Sequence, residues 1–293
     1  MKLIGTITAA FGRHYEITLD DDRIVNGIPL GKKSPHACGD RVTLGPLHDS
    51  EAQILGHAPR TSLLYRSDQW KEKLIAANAT QVVLVVATEP AFSAELVSRC
   101  LVAATHEKLR AVVVLNKCDL ADHLATSRAL LAPYVALGTP VVELSALTDA
   151  TPLKPWLSDQ VSVLVGQSGM GKSTLVNALV PDAGAATREI STALDTGKHT
   201  TTHARMYVLP EGGKLIDSPG LQEFGLAHLT RGEIELGFAE FVPHLGQCRF
   251  RDCKHGNEPD CAIKTAIARG EIDARRLAHF VTIANEGDRA KSF

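Results

Sequence analysis

The chain has 293 residues, of which 44% are hydrophobic and 22% are charged, and its formal net charge is −2. This length and composition are enough to bury the cores of about two domains. The net charge gives no global basic field that would indicate a nucleic-acid partner. No apolar run approaches the ~18 residues of a membrane span, and Arg13 and His14 follow the N-terminus too soon for a signal peptide. We therefore expect a cytoplasmic monomer that binds no membrane, in which the six cysteines are thiols or metal ligands rather than disulfides.

Residues 1–60 predict a small β-barrel domain. Short, β-branched runs are separated by glycine, asparagine and proline, and they lie at residues 3–8, 15–19, 23–25, 41–44 and 53–55. Strands at this density in about sixty residues favour a closed barrel of the OB-fold type. An SH3-like barrel has a similar number of strands, and counting strands does not separate the two.

Residues 61–225 predict an α/β domain. Nearly continuous apolar runs alternate with helix-compatible stretches such as 94–106 and 126–136, and the apolar runs lie at 82–87, 111–115, 140–144 and 162–165. This alternation indicates a parallel sheet covered by helices on both faces, with ligands bound beyond the carboxyl ends of the strands. Each nucleotide-binding motif described below begins at such an end.

A phosphate-binding loop follows the last of these apolar runs. Residues 166–174 fit the pattern G-x-x-x-x-G-K-[ST] between a strand and a helical stretch. Backbone N–H groups and the helix N-terminus bind phosphates in this motif, while Lys172 reaches the β- and γ-phosphates and Ser173 ligates Mg²⁺. The predicted nucleotide contacts of the loop are Gly166, Gln167, Ser168, Gly169, Met170, Gly171, Lys172, Ser173 and Thr174.

A base-reading motif precedes the phosphate loop. The run 111–115 leads into N-K-x-D, where the carboxylate of Asp119 can accept hydrogen bonds from both N–H groups on the Watson–Crick edge of guanine. Adenine has no matching pair of donors, so this residue selects GTP over ATP. The next apolar run ends in Ser-Ala-Leu, typical of a companion loop that donates backbone N–H groups. The predicted base contacts are Asn116, Lys117, Asp119, Ser145 and Ala146.

Two further segments predict the switches of a GTPase. Residues 217–220 fit D-x-x-G, in which Asp217 is a carboxylate near Mg²⁺ that does not ligate the ion directly and the Gly220 N–H senses the γ-phosphate. Between this motif and the phosphate loop, residues 197–202 contain a run of threonines. We predict that Thr201 ligates Mg²⁺ from this run, together with Ser173.

These motifs occur in a circularly permuted order. Common GTPases begin with the phosphate loop and end with the base reader, whereas this chain has the base reader, the companion loop, the phosphate loop, the threonine run and then D-x-x-G. A parallel sheet tolerates this rewiring because the order of its strands in space is unchanged. The barrel and the C-terminal region are therefore both attached next to the element that senses γ-phosphate.

Residues 226–293 predict a helical zinc-binding domain. A C-x₄-C-x-H-x₅-C element lies before two stretches with helical spacing of apolar residues. Three thiolates and one imidazole suit one tetrahedral, structural Zn²⁺ per chain and leave no open position for zinc catalysis. The predicted ligands are Cys248, Cys253, His255 and Cys261.

The combination of these features resembles the ribosome small subunit-dependent GTPase family, known as RsgA or YjeQ. The resemblance covers nearly the whole chain: the barrel with its segment 37–42, the linker at 60–78, the permuted motifs and the cysteine–histidine element. It implies an OB-fold, a permuted GTPase domain and a zinc domain. It also implies late maturation of the small ribosomal subunit through contact with its ribosomal RNA, with GTP hydrolysis stimulated by the subunit and triggering release.

The resemblance further points to His199 as the residue that positions the attacking water. In Ras-like proteins, a glutamine directly after D-x-x-G has this role, but here Leu221 occupies that position and Gln222 follows it. A leucine cannot hold a water by hydrogen bonding, so slow intrinsic hydrolysis is expected, with the ribosome ordering the switch. The predicted catalytic residues are thus His199, Thr201 and Lys172.

Two other functions compete with this hypothesis. One is an RNA-binding assembly factor whose nucleotide site is only structural, which the intact Lys172, Ser173, Asp217 and Thr201 disfavour. The other is a metal-delivery GTPase, which would explain the cysteine–histidine element but not its four ligands, since a complete ligand set is typical of a structural site.

Overall fold

The N-terminal strands form a closed barrel. The computed structural model describes residues 3–31, 35–67, 72–181, 183, 203–218 and 225–290. Its first strands are β1 (Leu3–Phe11), β2 (His14–Leu19), β3 (Ile24–Pro29), β4 (Arg41–His48) and β5 (Glu51–His57). They pair in the order β1-β2-β3-β5-β4, and β4 pairs again with β1. The parallel pairing of β3 with β5 gives the Greek-key closure of an OB-like barrel, which confirms the predicted barrel.

Residues that alternate along these strands fill the barrel. The core cluster includes Ile7, Ile17, Val25, Leu44 and Ile54, none of which is more than 3% exposed. Successive side chains of a strand point to opposite faces, so the short β-branched runs of the sequence place every second residue inside.

A hairpin follows the barrel. Its strands are β6 (Leu63–Ser67) and β7 (Glu72–Ala77), and they pair antiparallel with Leu63 opposite Ala77. Residues 60–78 are interpreted as a linker from the sequence, whereas this segment contains a paired β-ladder. The physical reason is burial, because Leu64, Ile75 and Ala76 belong to the apolar core of the α/β sheet.

The remaining strands form the predicted α/β sheet. They are β8 (Gln81–Ala87), β9 (Arg110–Asn116), β10 (Val141–Glu143), β11 (Val161–Val165), β12 (Ala204–Val208) and β13 (Lys214–Asp217). The pairs β8–β9, β9–β10, β8–β11 and β11–β13 are parallel, which confirms the predicted parallel sheet. β12 was not predicted, and it runs antiparallel to β13.

Helices cover this sheet. They are α1 (Ala94–His106), α2 (Ala121–Ala136), α3 (Lys154–Leu157) and α4 (Lys172–Leu179). The prediction for α1 matches its bounds, while α2 begins at Ala121 rather than at 126 because its first three residues are exposed and lack apolar periodicity. Among the described residues, none of the helices is long and apolar enough to cross a membrane.

The barrel and the α/β sheet are continuous. β1 pairs with β12, with Ala9 opposite Arg205, so the strands belong to one 11-stranded sheet. Arg205 also forms an ion pair with Glu16 of the barrel at 2.9 Å. Nearby, the buried carboxylate of Asp40 accepts two hydrogen bonds from Arg60, both of 2.7 Å. The β1–β12 pairing and the Arg205–Glu16 ion pair thus join the predicted barrel domain to the predicted α/β domain, while the Arg60–Asp40 bonds fix the end of the barrel segment.

The C-terminal region is helical, as the sequence predicts. It contains α5 (Arg231–Leu236), α6 (Ala262–Ala268) and α7 (Ala274–Ala290), with a short 3₁₀ helix at Val242–His244. Phe238, Phe241 and Phe280 are fully buried and form its aromatic centre. α5 and α7 both contact α1, so this region packs directly on the α/β sheet's helical layer.

A buried polar network strengthens that contact. Arg276 of α7 is 2% exposed, pairs with Glu240 at 2.5 Å and donates to the Ser98 hydroxyl of α1 at 2.7 Å. Its guanidinium lies over the rings of Tyr134 and Phe238, at 4.8 and 4.4 Å from their centroids. A buried cation with this many partners is satisfied only when α1, α2 and α7 are in place, so the network specifies how the C-terminal helices dock.

Candidate functional site

The predicted nucleotide motifs converge at one edge of the sheet. β8, β9, β10, β11 and β13 are mutually parallel through their neighbours, so their carboxyl ends share one edge. The base reader follows β9, the companion loop follows β10, the phosphate loop follows β11, and D-x-x-G begins at the end of β13. Motifs that are distant in the chain therefore become neighbours, such as Asn116 of the base reader and Met170 of the phosphate loop, which are 54 residues apart and joined by a hydrogen bond.

Two glycines give the phosphate loop its shape. Gly166 has a φ of 147°, and a Cβ there would lie 2.3 Å from the carbonyl oxygen of Val85. Gly171 has a φ of 88° at the N-cap of α4, where a Cβ would lie 2.3 Å from the side-chain amide of Asn116. Neither position has space for a side chain. The loop is thus packed between β8 and the base reader, and it leads into the N-terminus of α4, which favours anions.

Lys172 and Asp217 are the buried charges of this site. Lys172 is 9% exposed and its Nζ donates to the carbonyls of Gly166 and Gln167 at 2.6 and 2.9 Å. Asp217 is 6% exposed, and its Oδ1 has no hydrogen-bond partner among the described residues. Burial raises the pKa of Asp217 to about 6, although the Lys172 charge opposes this rise. A buried acceptor without a donor suits a cation or the waters bound to it.

Asn116 joins three loops of the site. It is 1% exposed, and its Nδ2 donates to the carbonyl of Met170 in the phosphate loop at 2.9 Å. Its Oδ1 accepts from the backbone N–H of Lys117 at 2.8 Å and from that of Ala146 in the companion loop at 2.9 Å. The side-chain amide therefore fixes the base reader, the companion loop and the phosphate loop relative to one another. The predicted contact of Asn116 with the base itself remains a prediction.

The predicted base-reading carboxylate follows the segment that Asn116 anchors. Asp119 is exposed at the end of the segment that Asn116 anchors. The companion loop is a tight turn in which the carbonyl of Ser145 accepts from the N–H groups of Thr148 and Asp149, at 3.0 and 2.8 Å. The N–H of Ala146 binds Asn116 in this structure, so its predicted donation to the base requires a shared or displaced hydrogen bond.

One residue of this site, Thr88, was not predicted from the sequence. Thr88 follows β8 and is 3% exposed, and its hydroxyl donates to the carbonyl of Lys117 at 2.8 Å. A weak signal was present, because Thr88 is a polar residue directly after a buried apolar strand, the same position from which the other motifs begin.

Several predicted residues cannot be placed relative to this site. His199, Thr201 and Gly220 lie outside the described residues. Of the phosphate-loop residues, Ser168, Gly169 and Ser173 are exposed, Gln167 and Thr174 are half-buried, and Met170 is buried.

The four predicted zinc ligands come together. One ligand atom each from Cys248, Cys253, His255 and Cys261 lies within 4.8 Å of the others. The Nδ1 of His255 is 3.7, 3.6 and 3.3 Å from the three thiol sulfurs in chain order, and the sulfurs of Cys248 and Cys261 are 3.9 Å apart. Zn–S and Zn–N bonds of about 2.3 and 2.0 Å give a tetrahedron whose edges are about 3.5–3.8 Å, which fits these separations. The cluster can therefore hold a metal ion.

Surrounding residues fix the geometry of this cluster. The Nε2 of His255 lies 3.3 Å from the carboxylate of Glu235 in α5, an arrangement that orients a metal-binding imidazole. The backbone N–H of Ala262 donates to the sulfur of Cys248 at 3.4 Å. His255 and Cys261 are 4% and 2% exposed, and Phe280 covers the imidazole. Glu235 was not predicted, since it precedes the first ligand and carries no pattern of its own.

Known proteins share this sequence and this fold. A family model described as RsgA GTPase matches residues 57–227. A small ribosomal subunit biogenesis GTPase RsgA of Nitrosospira multiformis is 50% identical over 275 residues, covering 94% of this chain and 88% of the relative. A protein of the same name from Bordetella pertussis is 49% identical over 293 residues, covering 99% and 98%.

Two solved structures have the same architecture. YjeQ from Thermotoga maritima superposes with a TM-score of 0.73 at 28% identity, covering 98% of this chain and 99% of that chain. YloQ, described as a circularly permuted GTPase, superposes with a TM-score of 0.70 at 25% identity, covering 99% and 96%. The similarity extends through the barrel, the α/β sheet and the C-terminal helices, because both alignments cover nearly the whole chain.

Proposed function

The chain belongs to the RsgA GTPase family and is a GTPase, and from this premise we propose that it acts in the late maturation of the small ribosomal subunit. Relatives with about half of their residues in common with this chain have small ribosomal subunit biogenesis in their names. We propose that the partners are the small subunit, its ribosomal RNA and GTP or GDP, and that the protein acts as a cytoplasmic monomer. The subunit stimulates hydrolysis, and hydrolysis triggers release.

The position of Asn116 is the observation that best supports the nucleotide site. Its one side chain binds the phosphate loop, the base reader and the companion loop, which supports a site where base and phosphates are bound together. The carboxylate of Asp119 reads guanine by accepting hydrogen bonds from the two N–H groups on the Watson–Crick edge of the base. Residues 166–174 hold the phosphates with backbone N–H groups, and Lys172 turns from the loop carbonyls to the β- and γ-phosphates.

A magnesium ion belongs to this site. Ser173 and Thr201 would ligate it, and the buried Oδ1 of Asp217 would accept from its water ligands, which agrees with the lack of another donor among the described residues. When bound, the ion neutralises charge on the phosphates. Both oxygens of Asp217 are free acceptors, and the group carries the negative charge that favours Mg²⁺, only when the carboxyl is ionised, so nucleotide binding in the presence of magnesium weakens as the pH falls below about 6.

His199 positions the attacking water. The motivation is Leu221 at the position that holds a glutamine in Ras-like GTPases. Replacing His199 by alanine should lower subunit-stimulated turnover by ~10²–10⁴-fold and leave the GTP dissociation constant nearly unchanged. His123→Ala, at an exposed position of α2, is the matched control. If the His199 variant keeps parental stimulated turnover, another group orients the water.

The cysteine–histidine cluster holds a structural zinc ion. Four ligands and the Glu235 carboxylate behind His255 complete the site, and the aromatic centre of the C-terminal helices covers it. A closed and buried ligand set supports a role in folding and not in metal delivery.

GTP turnover with and without purified small ribosomal subunits tests the proposal. The rate per chain should rise with added small subunits and should not rise with large subunits. Asp119→Ala should lose turnover at low GTP concentration, because the base contact is lost, whereas Asp122→Ala, exposed in the first turn of α2, should behave as the parent. A turnover rate that does not respond to small subunits would contradict the assigned partner.

A further inference from the structure

Thr88 connects the sheet to the base-reading loop. It directly follows the last residue of β8, and it is 3% exposed. Two hydrogen bonds run from it to the loop: its backbone N–H donates to the carbonyl of Asn116 at 3.1 Å, and its hydroxyl donates to the carbonyl of Lys117 at 2.8 Å. Successive peptide groups of the loop are therefore held by one residue.

The loop needs such support because of its backbone conformation. Lys117 has a φ of 60°, in the left-handed region that residues with a side chain rarely adopt. The neighbouring peptide groups are pinned as well, since the Lys117 N–H donates to the Asn116 side chain at 2.8 Å and the Cys118 N–H donates to the carbonyl of Leu144 at 3.1 Å. This turn sets the direction in which the chain enters Asp119.

The hydroxyl of Thr88 makes a contribution that no other group replaces. The carbonyl of Lys117 also accepts from the N–H of Leu120 at 3.0 Å, but that bond lies within the loop and moves with it. Only the Thr88 hydroxyl ties this carbonyl to the sheet among the hydrogen bonds of the described residues. Because Thr88 is buried, water cannot take the place of the lost donor without local rearrangement.

We infer that Thr88 is a positioning residue for guanine recognition: its hydroxyl holds the carbonyl of Lys117 and thereby aims the carboxylate of Asp119 at the base. The inference rests on the proposed role of Asp119 and deepens it, because it names a residue outside the N-K-x-D motif that determines specificity. Two simultaneous hydrogen bonds from guanine require a more exact orientation of the Asp119 carboxylate than a single hydrogen bond would.

The test compares GTP with inosine triphosphate, which lacks the exocyclic amino group of guanine. Dissociation constants are measured for the parent, Thr88→Val, Thr88→Ser and Asp119→Ala. Thr80→Val is the matched control, since the Thr80 hydroxyl is hydrogen-bonded to Gln160 and to the N–H of Val161 at the opposite end of β8.

Thr88→Val should weaken GTP binding by about fivefold to tenfold and inosine triphosphate binding by about twofold, so that the preference between them shrinks. The loss should appear in KM for GTP. Thr88→Ser, which keeps the hydroxyl, and Thr80→Val should retain the parental preference. A general loosening of the fold would weaken both nucleotides alike and would not be rescued by serine.

The outcomes distinguish a failure of the positioning role of Thr88 from a failure of the base-reading role of Asp119. If Asp119→Ala abolishes the preference while Thr88→Val keeps it, the positioning role is overturned and the base reader stands. If Thr88→Ser behaves as Thr88→Val, the hydroxyl is not the cause and the inference also fails. If Asp119→Ala keeps the parental preference, the base reader is wrong, and the inference falls with it.

Discussion

Replacing Asp217 by asparagine should make the nucleotide-free protein more stable while removing its function. The Asp217 carboxylate is 6% exposed and its Oδ1 has no hydrogen-bond donor among the described residues. At neutral pH, folding must therefore bury a charge that, within the part of the chain the structure describes, is opposed by the nearby Lys172. A neutral amide of the same shape avoids this cost, and it cannot replace the carboxylate near Mg²⁺.

The pKa of Asp217 sets the magnitude and the sign of this change in the unfolding free energy. Burial raises it from 3.8 to about 6 in the folded protein, a difference that corresponds to ~3 kcal/mol. Between these pH values the folded protein holds a proton that the unfolded chain has released, so the unfolding free energy falls as pH rises and the whole cost is present above about pH 6. Burying the asparagine amide costs ~1 kcal/mol, which leaves a net gain of ~2 kcal/mol at pH 7.

Urea unfolding of the metal-free and nucleotide-free proteins measures this gain. The advantage of Asp217→Asn over the parent should shrink by ~1 kcal/mol between pH 7 and pH 5, because the parent carboxyl takes up a proton in that interval. Asp159→Asn, at an exposed position, should change the unfolding free energy little at either pH. A variant that is less stable than the parent at pH 7, or whose advantage does not depend on pH, would refute the reasoning.

Three further predictions follow from the buried polar groups. Asn116→Ala removes three hydrogen bonds and should weaken GTP binding by ~100-fold in a fluorescent-nucleotide titration, while Asn177→Ala on the exposed side of α4 should not. Cys253→Ser should lower the zinc content below one per chain and increase proteolysis of the C-terminal helices. Arg276→Met leaves a buried carboxylate unpaired and should cost ~3 kcal/mol in urea unfolding, whereas Arg275→Met, which is exposed, should cost little.

Each of these predictions can fail in a distinct way. Parental GTP affinity of Asn116→Ala would mean that the loops hold their positions without the amide. Full zinc content in Cys253→Ser would show that the thiolate is not a ligand. Equal unfolding free energies of the two arginine variants would show that the docking of α7 does not depend on its buried ion pair.

Much of the candidate site was predictable because it consists of contiguous motifs. The phosphate loop, N-K-x-D and the cysteine–histidine element each have fixed spacing, since each is a short turn whose atoms act together. Thr88 and Glu235 were missed for the opposite reason: each acts on a motif from a different element, across 29 and 20 residues to Lys117 and His255, and such contacts leave no local pattern.

The sequence by itself determined the classes of the elements and the identity of the motifs, because hydrophobic periodicity and turn residues act over a few positions. Only the tertiary structure decided which distant groups meet. It joined β1 to β12 in one sheet, paired strands within a segment interpreted as a linker, and brought Arg276 to Ser98 across the docked helices. These contacts depend on backbone hydrogen bonding between remote strands and on burial of charge, and both arise only once the chain has folded.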